Sequence, residues 1–273
     1  MTAHVLLDVS DRVATITLNR PKRRNAADPA MLDHLLVALR NVRADNRVRV
    51  VVLTGAGGAF CAGADLTEDA ISQLPPDCTR GQGVRWLLEH CWNAAVANII
   101  DLGKPTIAAV AGVAAGGGVG LALACDIVIA ADTASFVQPF VPQLAVVPDV
   151  GSSWFLPRLI GVARARALML LGDPLPASTA AAWGMIWQSV PDEQLAATTT
   201  SLAARLADLD PEAAARAKAA IVSSIDNGLH DQLALEARWQ ADLVDRPAFR
   251  EGVSAFLEKR RPRFDFTSDT KEP

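Results

Sequence analysis

Two glycine-rich stretches are the chemically suggestive parts of this chain. The run Gly112-Val113-Ala114-Ala115-Gly116-Gly117-Gly118-Val119-Gly120 follows an apolar segment, Thr106 to Val110, read as a strand, and leads into a short apolar helix read from about Gly117 to Ala124. Three consecutive glycines remove every Cβ at one bend, so backbone can approach a ligand closely and adopt positive φ. The first N–H groups of the following helix lack intrahelical acceptors and carry partial positive charge. Such a bend suits an oxygen that becomes negative during a reaction. The plainer reading is that the glycines only let a strand and a helix pack closely. A second bend, Thr54 to Leu66, reads as another glycine-rich turn, with a helix start near Ala64 and Asp65 at its positive end. Two N–H donors from different loops, converging on one atom, form an oxyanion hole. Ala64 and Gly117 are the positions that fit.

Other chemistries lack their residues. From Gly55 and Gly57 the third position of a GxGxxG fingerprint is Phe60, and from Gly116 and Gly118 it is Leu121. Neither GxxxxGK[ST] nor GxSxG is present, and none of His4, His34, His90 and His230 lies in a glycine-rich turn. Tyrosine is absent. The cysteines (Cys61, Cys78, Cys91, Cys125) show no CxxC spacing, and no metal-ligand spacing occurs. Reduced thiols and the lack of a basic, apolar N-terminal leader lead us to expect a cytoplasmic protein.

The elements that must position these loops read as strands alternating with helices up to about Val190, and helices beyond. Val5-flanked Leu6 to Val9 and Val13 to Leu18 read as a hairpin. Lys22, Arg23 and Arg24 form a compact basic loop. Asp28-Pro29 signals a helix start, with Asp at the cap and Pro at the first helical position. Val48 to Leu53 reads as a buried strand, Leu74 to Gly83 as a loop, and Val84 to Leu102 as one long helix. Asp126 to Ala131 and Ile186 to Val190 read as strands. Helices are expected over Val162 to Leu171, Ser178 to Trp183, Asp192 to about Leu209, Pro211 to Ile225, Leu229 to Leu243 and Pro247 to Leu257. With 273 residues, 51% hydrophobic and 21% charged, the chain can bury a large core. Its net charge of −4 does not favour nucleic acid or an anionic membrane, and no segment is apolar enough to span one.

These residues carry a family resemblance. FCAGADL (60–66), KPTIAAVAGVAAGGGVGLALACDIVIA (104–130) and VVPDVGSSWFLPRLIG (146–161), with VATITLNRPKRRNA (13–26) and AFLEKRRPRF (255–264), resemble the enoyl-CoA hydratase/isomerase, or crotonase, superfamily. The resemblance implies an α/β fold, a spiral of ββα turns over 1–191, with a C-terminal helical region (192–273) used for trimer contacts, often as a dimer of trimers. It implies an acyl-CoA thioester substrate whose carbonyl oxygen is bound by the amides of Ala64 and Gly117, and no cofactor beyond the substrate's coenzyme A. For that coenzyme it points to Lys22, Arg23 and Arg24 near the phosphates and to Ala62, Asp65 and Leu66 on the adenine loop. Lys259, with Arg260 and Arg261, would reach the 3′-phosphate from a neighbouring subunit. Both basic runs also read as solvated surface. Trp86, Trp92 and Phe140 are candidates for an acyl pocket, or for helix packing.

The family's hydratases carry two glutamates. One lies three residues after the middle glycine of the triplet, here Gly120, and one follows a Gln-Pro pair, here Phe140 after Gln138-Pro139. Two carboxylates hold and activate water across a double bond, so ordinary hydration lacks its groups. Asp149, in VVPDVG, matches the aspartate of phenylacetate-pathway enoyl-CoA isomerases and of dienoyl-CoA isomerases, and its neighbours are apolar. One base suffices to move a proton between two carbons. The bland alternative is that Asp149 caps a helix starting near Gly151. Dehalogenases of this superfamily pair that aspartate with a histidine and a tryptophan, matched here by Asn93 and Phe140. The expectation is therefore an enoyl-CoA isomerase with Asp149 as proton shuttle, against an atypical hydratase or a non-catalytic acyl-CoA-binding paralogue.

Overall fold

A computed structural model describes residues 3–67 and 78–264. β1 (Val5–Ser10) and β2 (Val13–Leu18) form an antiparallel hairpin, with Asp11 and Arg12 both left-handed in its two-residue turn. β2 then pairs in parallel with β3 (Val50–Gly55), and the ladder continues through β4 (Thr106–Val110), β6 (Ile127–Ala131) and β9 (Gln188–Val190). The order of this sheet is β1-β2-β3-β4-β6-β9. A second, smaller sheet holds β5 (Val113–Ala115), β7 (Ser135–Val137) and β8 (Leu175–Pro176). The chain therefore climbs by repeating units. One strand enters the large sheet, the next enters the small sheet, and a helix leads back: β4, β5 and α4 (Gly117–Leu123), then β6, β7 and α5 (Phe140–Leu144).

Alternation along the parallel strands divides the core. Val51, Leu53, Ala108 and Val110 face the main core, whereas Val50, Val52, Ile107 and Ala109 face α8 (Leu195–Ala207) through Ala203 and Ala207. Both faces are covered, which is why these strands are apolar almost throughout. On the first face lies α1 (Pro29–Ala44). Asp28 caps it by accepting from the Met31 N–H at 2.8 Å, and Met31, Leu35 and Leu39 are buried.

Several expected elements differ. The helix expected over Val84 to Leu102 starts earlier, at α2 (Arg80–Leu87), under a Thr79–Gln82 capping box. It then passes through a π-turn, Leu88–Trp92, into α3 (Asn93–Ile100). The wider turn delivers Cys91 and Trp92 into the core. Of the loop expected over Leu74 to Gly83, residues 74–77 lie outside the described residues, and Arg80 to Gly83 are helical. The helix expected from Val162 is the second half of α6 (Ser152–Leu171), which bends at Gly161, φ 76° and ψ 159°. Helix α7 (Ala177–Ala182) precedes β9. Beyond a 3₁₀ turn at Asp192–Gln194 and α8 come α9 (Pro211–Ser223), α10 (Leu229–Val244) and α11 (Pro247–Leu257). These last three leave large apolar side chains in solvent, among them Ile221, Leu229 and Phe256.

Candidate active site

The segment from Phe60 to Asp65 is stitched between two neighbours. On one side the Ala27 N–H donates to the Gly63 carbonyl at 2.8 Å, the Asp65 N–H to the Ala27 carbonyl at 2.9 Å and the Ala62 N–H to the Arg24 carbonyl at 3.0 Å. On the other, the Ala115 N–H donates to the Cys61 carbonyl at 2.8 Å, and the Phe60 and Cys61 N–H groups share the Val113 carbonyl. The bridge between Ala27 and Ala64 uses groups on either side of Ala64, so the Ala64 N–H points away from it. Ala64 itself is exposed. Up to Thr67 no helix begins here, contrary to expectation. Gly63, at φ 93°, sends the chain into an extended bridge, and Asp65 accepts from the Thr67 N–H and hydroxyl.

The two loops meet at their glycines. A Cβ built on Gly63 would lie 2.9 Å from the Ala115 carbonyl oxygen and 3.7 Å from the Gly117 nitrogen. A Cβ on Gly118 would lie 2.3 Å from the Cys61 carbonyl oxygen. Only glycine permits this approach. Gly116 (φ 52°, ψ −122°) precedes α4, and Gly117 is its first residue, so the Gly117 N–H has no intrahelical acceptor. The Ala64 and Gly117 amides therefore belong to adjoining backbone segments, one exposed and one buried. Trp92 and Phe140 close on the bend. Their rings lie 2.8 Å and 3.4 Å from the Cβ positions of Gly117 and Gly116. Trp86 stacks on His90 at the surface instead, with centroids 5.0 Å apart.

Both hydratase carboxylate positions are filled by other groups. A Cβ at Gly120 would meet the Val150 carbonyl oxygen at 2.1 Å and its Cγ1 at 2.8 Å. Phe140 is buried with its ring against Gly116. Gly120→Glu will therefore destabilise the protein rather than create a hydratase. We expect a loss of about 1–3 kcal/mol or more in denaturant unfolding, the usual cost of overpacking, and no water addition to a 2-enoyl-CoA.

The same contact fixes Val150, the residue after Asp149. Val150 packs on Gly120, one turn of α4 beyond Gly117, about 4.5 Å along the axis. Asp149 is half-buried, and burial pushes its carboxyl up to about 6, opposed among the described residues by its own N–H. The capping alternative is not what the structure holds. Gly151 occupies the cap of α6 with no side-chain bond, and it is the Asp149 carbonyl that accepts from the Ser152 N–H, at 3.0 Å.

Around the basic loop, Lys22, Arg23 and Arg24 are exposed beside the Ala62–Leu66 segment, and Leu66 is exposed with them. Asp65 turns its carboxylate elsewhere. Arg20 pairs with it at 2.9 Å and with Asp28 at 3.2 Å. Burial works to raise the Asp65 carboxyl, and the bonds from Thr67 and Arg20 more than offset this, leaving it below its ordinary value. Asp65 thus offers the loop its backbone. Asn25, which the sequence did not single out, is fully buried at φ 56° and donates to the Ala56 and Ala59 carbonyls at 2.9 and 2.7 Å. It ties the basic loop to the glycine loop, and the available signal was an asparagine, which tolerates a left-handed backbone, closing a run of three basic residues. Lys259 is not brought to this site within one chain. Arg260 to Phe264 line a cleft with Arg12, before the start of β2, whereas Lys22 to Arg24 follow its far end. The buried Cys61 and Cys125 thiols are pushed up to about 12 by burial, which leaves them inert, and Asp126 holds the Thr106 N–H and hydroxyl. Among the described residues no group of side chains could hold a metal ion, and no helix is long and apolar enough to cross a membrane.

A two-sheet ββα spiral with a glycine bend at its centre and a helical C-terminal region is the crotonase fold. The sequence profile of the enoyl-CoA hydratase/isomerase family matches residues 8–267. The chain belongs to that family, whose members act on acyl-CoA thioesters. It is 46% identical to the 1,2-epoxyphenylacetyl-CoA isomerase of Escherichia coli K12 over 265 residues, 97% of this chain and 99% of that one. Among solved structures it resembles an enoyl-CoA hydratase from Bacillus anthracis (TM-score 0.88, 34% identity, 97% of this chain and 100% of that one). It also resembles an enoyl-CoA hydratase from Polaromonas sp. JS666 (TM-score 0.87, 31% identity, 95% and 98%).

Proposed function

We propose that this enzyme is an acyl-CoA isomerase that moves a proton beside the thioester with one carboxylate. Asp149 removes the proton from C2 of a 3-enoyl-CoA, and the Ala64 and Gly117 amides hold the resulting dienolate oxygen. Asp149 then returns the proton to C4, giving the 2-enoyl-CoA. No water is consumed. The observation that carries this reading is the pair of filled hydratase positions, Val150 on Gly120 and Phe140 on Gly116, with Asp149 the residue next to Val150 in the chain. A carboxyl near 6 suits the task. It is ionised at neutral pH yet basic enough to take a carbon-bound proton. The name of the Escherichia coli relative, an isomerase of a CoA thioester, supports the same class and makes 1,2-epoxyphenylacetyl-CoA a second substrate to offer.

The test is a pH profile. With a 3-enoyl-CoA, kcat should fall roughly tenfold per pH unit below about 6 and stay level above it. A profile flat down to pH 4.5 would reject Asp149 as the base. Binding of CoA thioesters without turnover of any would favour the non-catalytic alternative.

In the same reading, Lys22 to Arg24 take the CoA phosphates, and Lys259 acts from a second copy, joined through the apolar side chains left exposed on α9 to α11. Light scattering should then return the mass of a trimer or hexamer; a monomer at micromolar concentration would reject this part.

A further inference from the structure

Asp149 is followed by two left-handed residues, Val150 at φ 50° and Gly151 at φ 78°. For glycine this conformation is ordinary, but for a β-branched residue it is strained and persists only where its surroundings enforce it. Here they do. Val150 is buried, with its carbonyl and one methyl in the space that a side chain at position 120 would occupy. The following turn is fixed as well. The Ser152 N–H donates to the Asp149 carbonyl, and the buried Gln138 side chain donates to the Ser152 hydroxyl at 3.2 Å. The positive end of a helix attracts a carboxylate this close to its start. That of Asp149 does not cap it.

We infer that Val150 is the positioning residue for Asp149: its left-handed backbone, wedged against Gly120, turns the carboxylate out of the α6 N-terminus and holds it on the face of α4 that Gly117 shares. This rests on Asp149 being the base. The strain at Val150 is then part of the design of the site. A relaxed segment would let the acid reach the α6 amides, which stabilise its charged form and make it a poorer base. Among the described residues no charged side chain contributes to the shift of the Asp149 carboxyl, so its basicity depends on where the segment holds it.

The experiment compares Val150→Gly, Val150→Thr and Asp149→Asn in the full-length protein, reading kcat, KM and the pH–rate limb with a 3-enoyl-CoA. Val150→Gly keeps the carbonyl against Gly120 but removes the methyl contact and frees the backbone to leave the left-handed region. It should lose roughly 10- to 100-fold in kcat with KM within about threefold, and its limb should move below 6. Val150→Thr keeps the β-branch and should recover both kcat and limb. Should Val150→Gly fail to fold, Val150→Asn, which tolerates the left-handed backbone and lacks the branch, carries the same expectation. A wild-type kcat with an unmoved limb in the unbranched variant overturns the inference, and so does a loss confined to KM or a failure of Val150→Thr to recover. If Asp149→Asn is inactive while Val150→Gly is normal, only this inference fails. If Asp149→Asn is fully active, the assignment of the base fails with it.

Discussion

Asp149→Asn will lower kcat for a 3-enoyl-CoA by roughly 10²–10⁴-fold, the usual contribution of a positioned acid–base group. The amide has the same shape and cannot accept the C2 proton. Thioester binding, measured by titration with a saturated acyl-CoA, should change by less than about threefold, because the carboxylate works in the transition state. Stability will not follow activity. Burial pushes the Asp149 carboxyl up to about 6 in the folded protein, above its ordinary value, so the folded state binds the extra proton more tightly. Stability from this group is present below about 4 and is lost as pH rises through 6. Asparagine removes that loss, and the variant should melt no lower than the wild type at pH 7. A protein that melts higher and turns over slower is the pattern expected where a charge is held in an unfavourable place for function.

The second large effect is at Gly117. On the proposed mechanism Gly117→Pro deletes one oxyanion donor, which is expected to cost roughly 10²–10³-fold in kcat. The site suits this substitution unusually well. Gly117 is the first residue of α4, where proline is tolerated, and Gly116 before it is not helical. A new Cβ would press on the Trp92 ring at 2.8 Å, so some loss would come from packing alone. Gly117→Ala adds the same Cβ and keeps the N–H. The ratio of the alanine to the proline variant isolates the donor, and it should account for most of the effect. Equal rates in the two folded variants would remove the Gly117 amide from the mechanism.

Much of this was legible before any coordinates. Thr106–Val110 stood out as an apolar run between Pro105 and the glycine cluster that starts at Gly112, and the strand has those bounds. Asp28-Pro29 marked the start of α1 because a capping carboxylate and an N-terminal proline each satisfy a distinct need of a helix end. The small sheet was not legible. Val113–Ala115 and Ser135–Val137 are too short to express a period, and the first lies inside the glycine run that drew attention for other reasons. The α5 helix was hidden by Pro139 and Pro142. For the site, the glycine triplet pointed to its bend, and the missing glutamates followed from the family resemblance. What replaced them did not. The contact between Gly120 and Val150 joins residues thirty apart, and no local pattern shows that a valine carbonyl fills a glycine's empty side. The Arg20 pairs with Asp28 and Asp65 were equally hidden, since they span a helix and a loop that only the sheet brings together.

The most direct test of a single-carboxylate isomerase is the conjugation of its product. Incubated with a 3-enoyl-CoA, the wild-type enzyme should generate the ultraviolet absorbance of a conjugated 2-enoyl thioester at unchanged mass, and Asp149→Asn should not. Water added to a 2-enoyl-CoA as fast by Asp149→Asn as by the wild type, with no conjugation of the 3-enoyl substrate by either, would contradict the account.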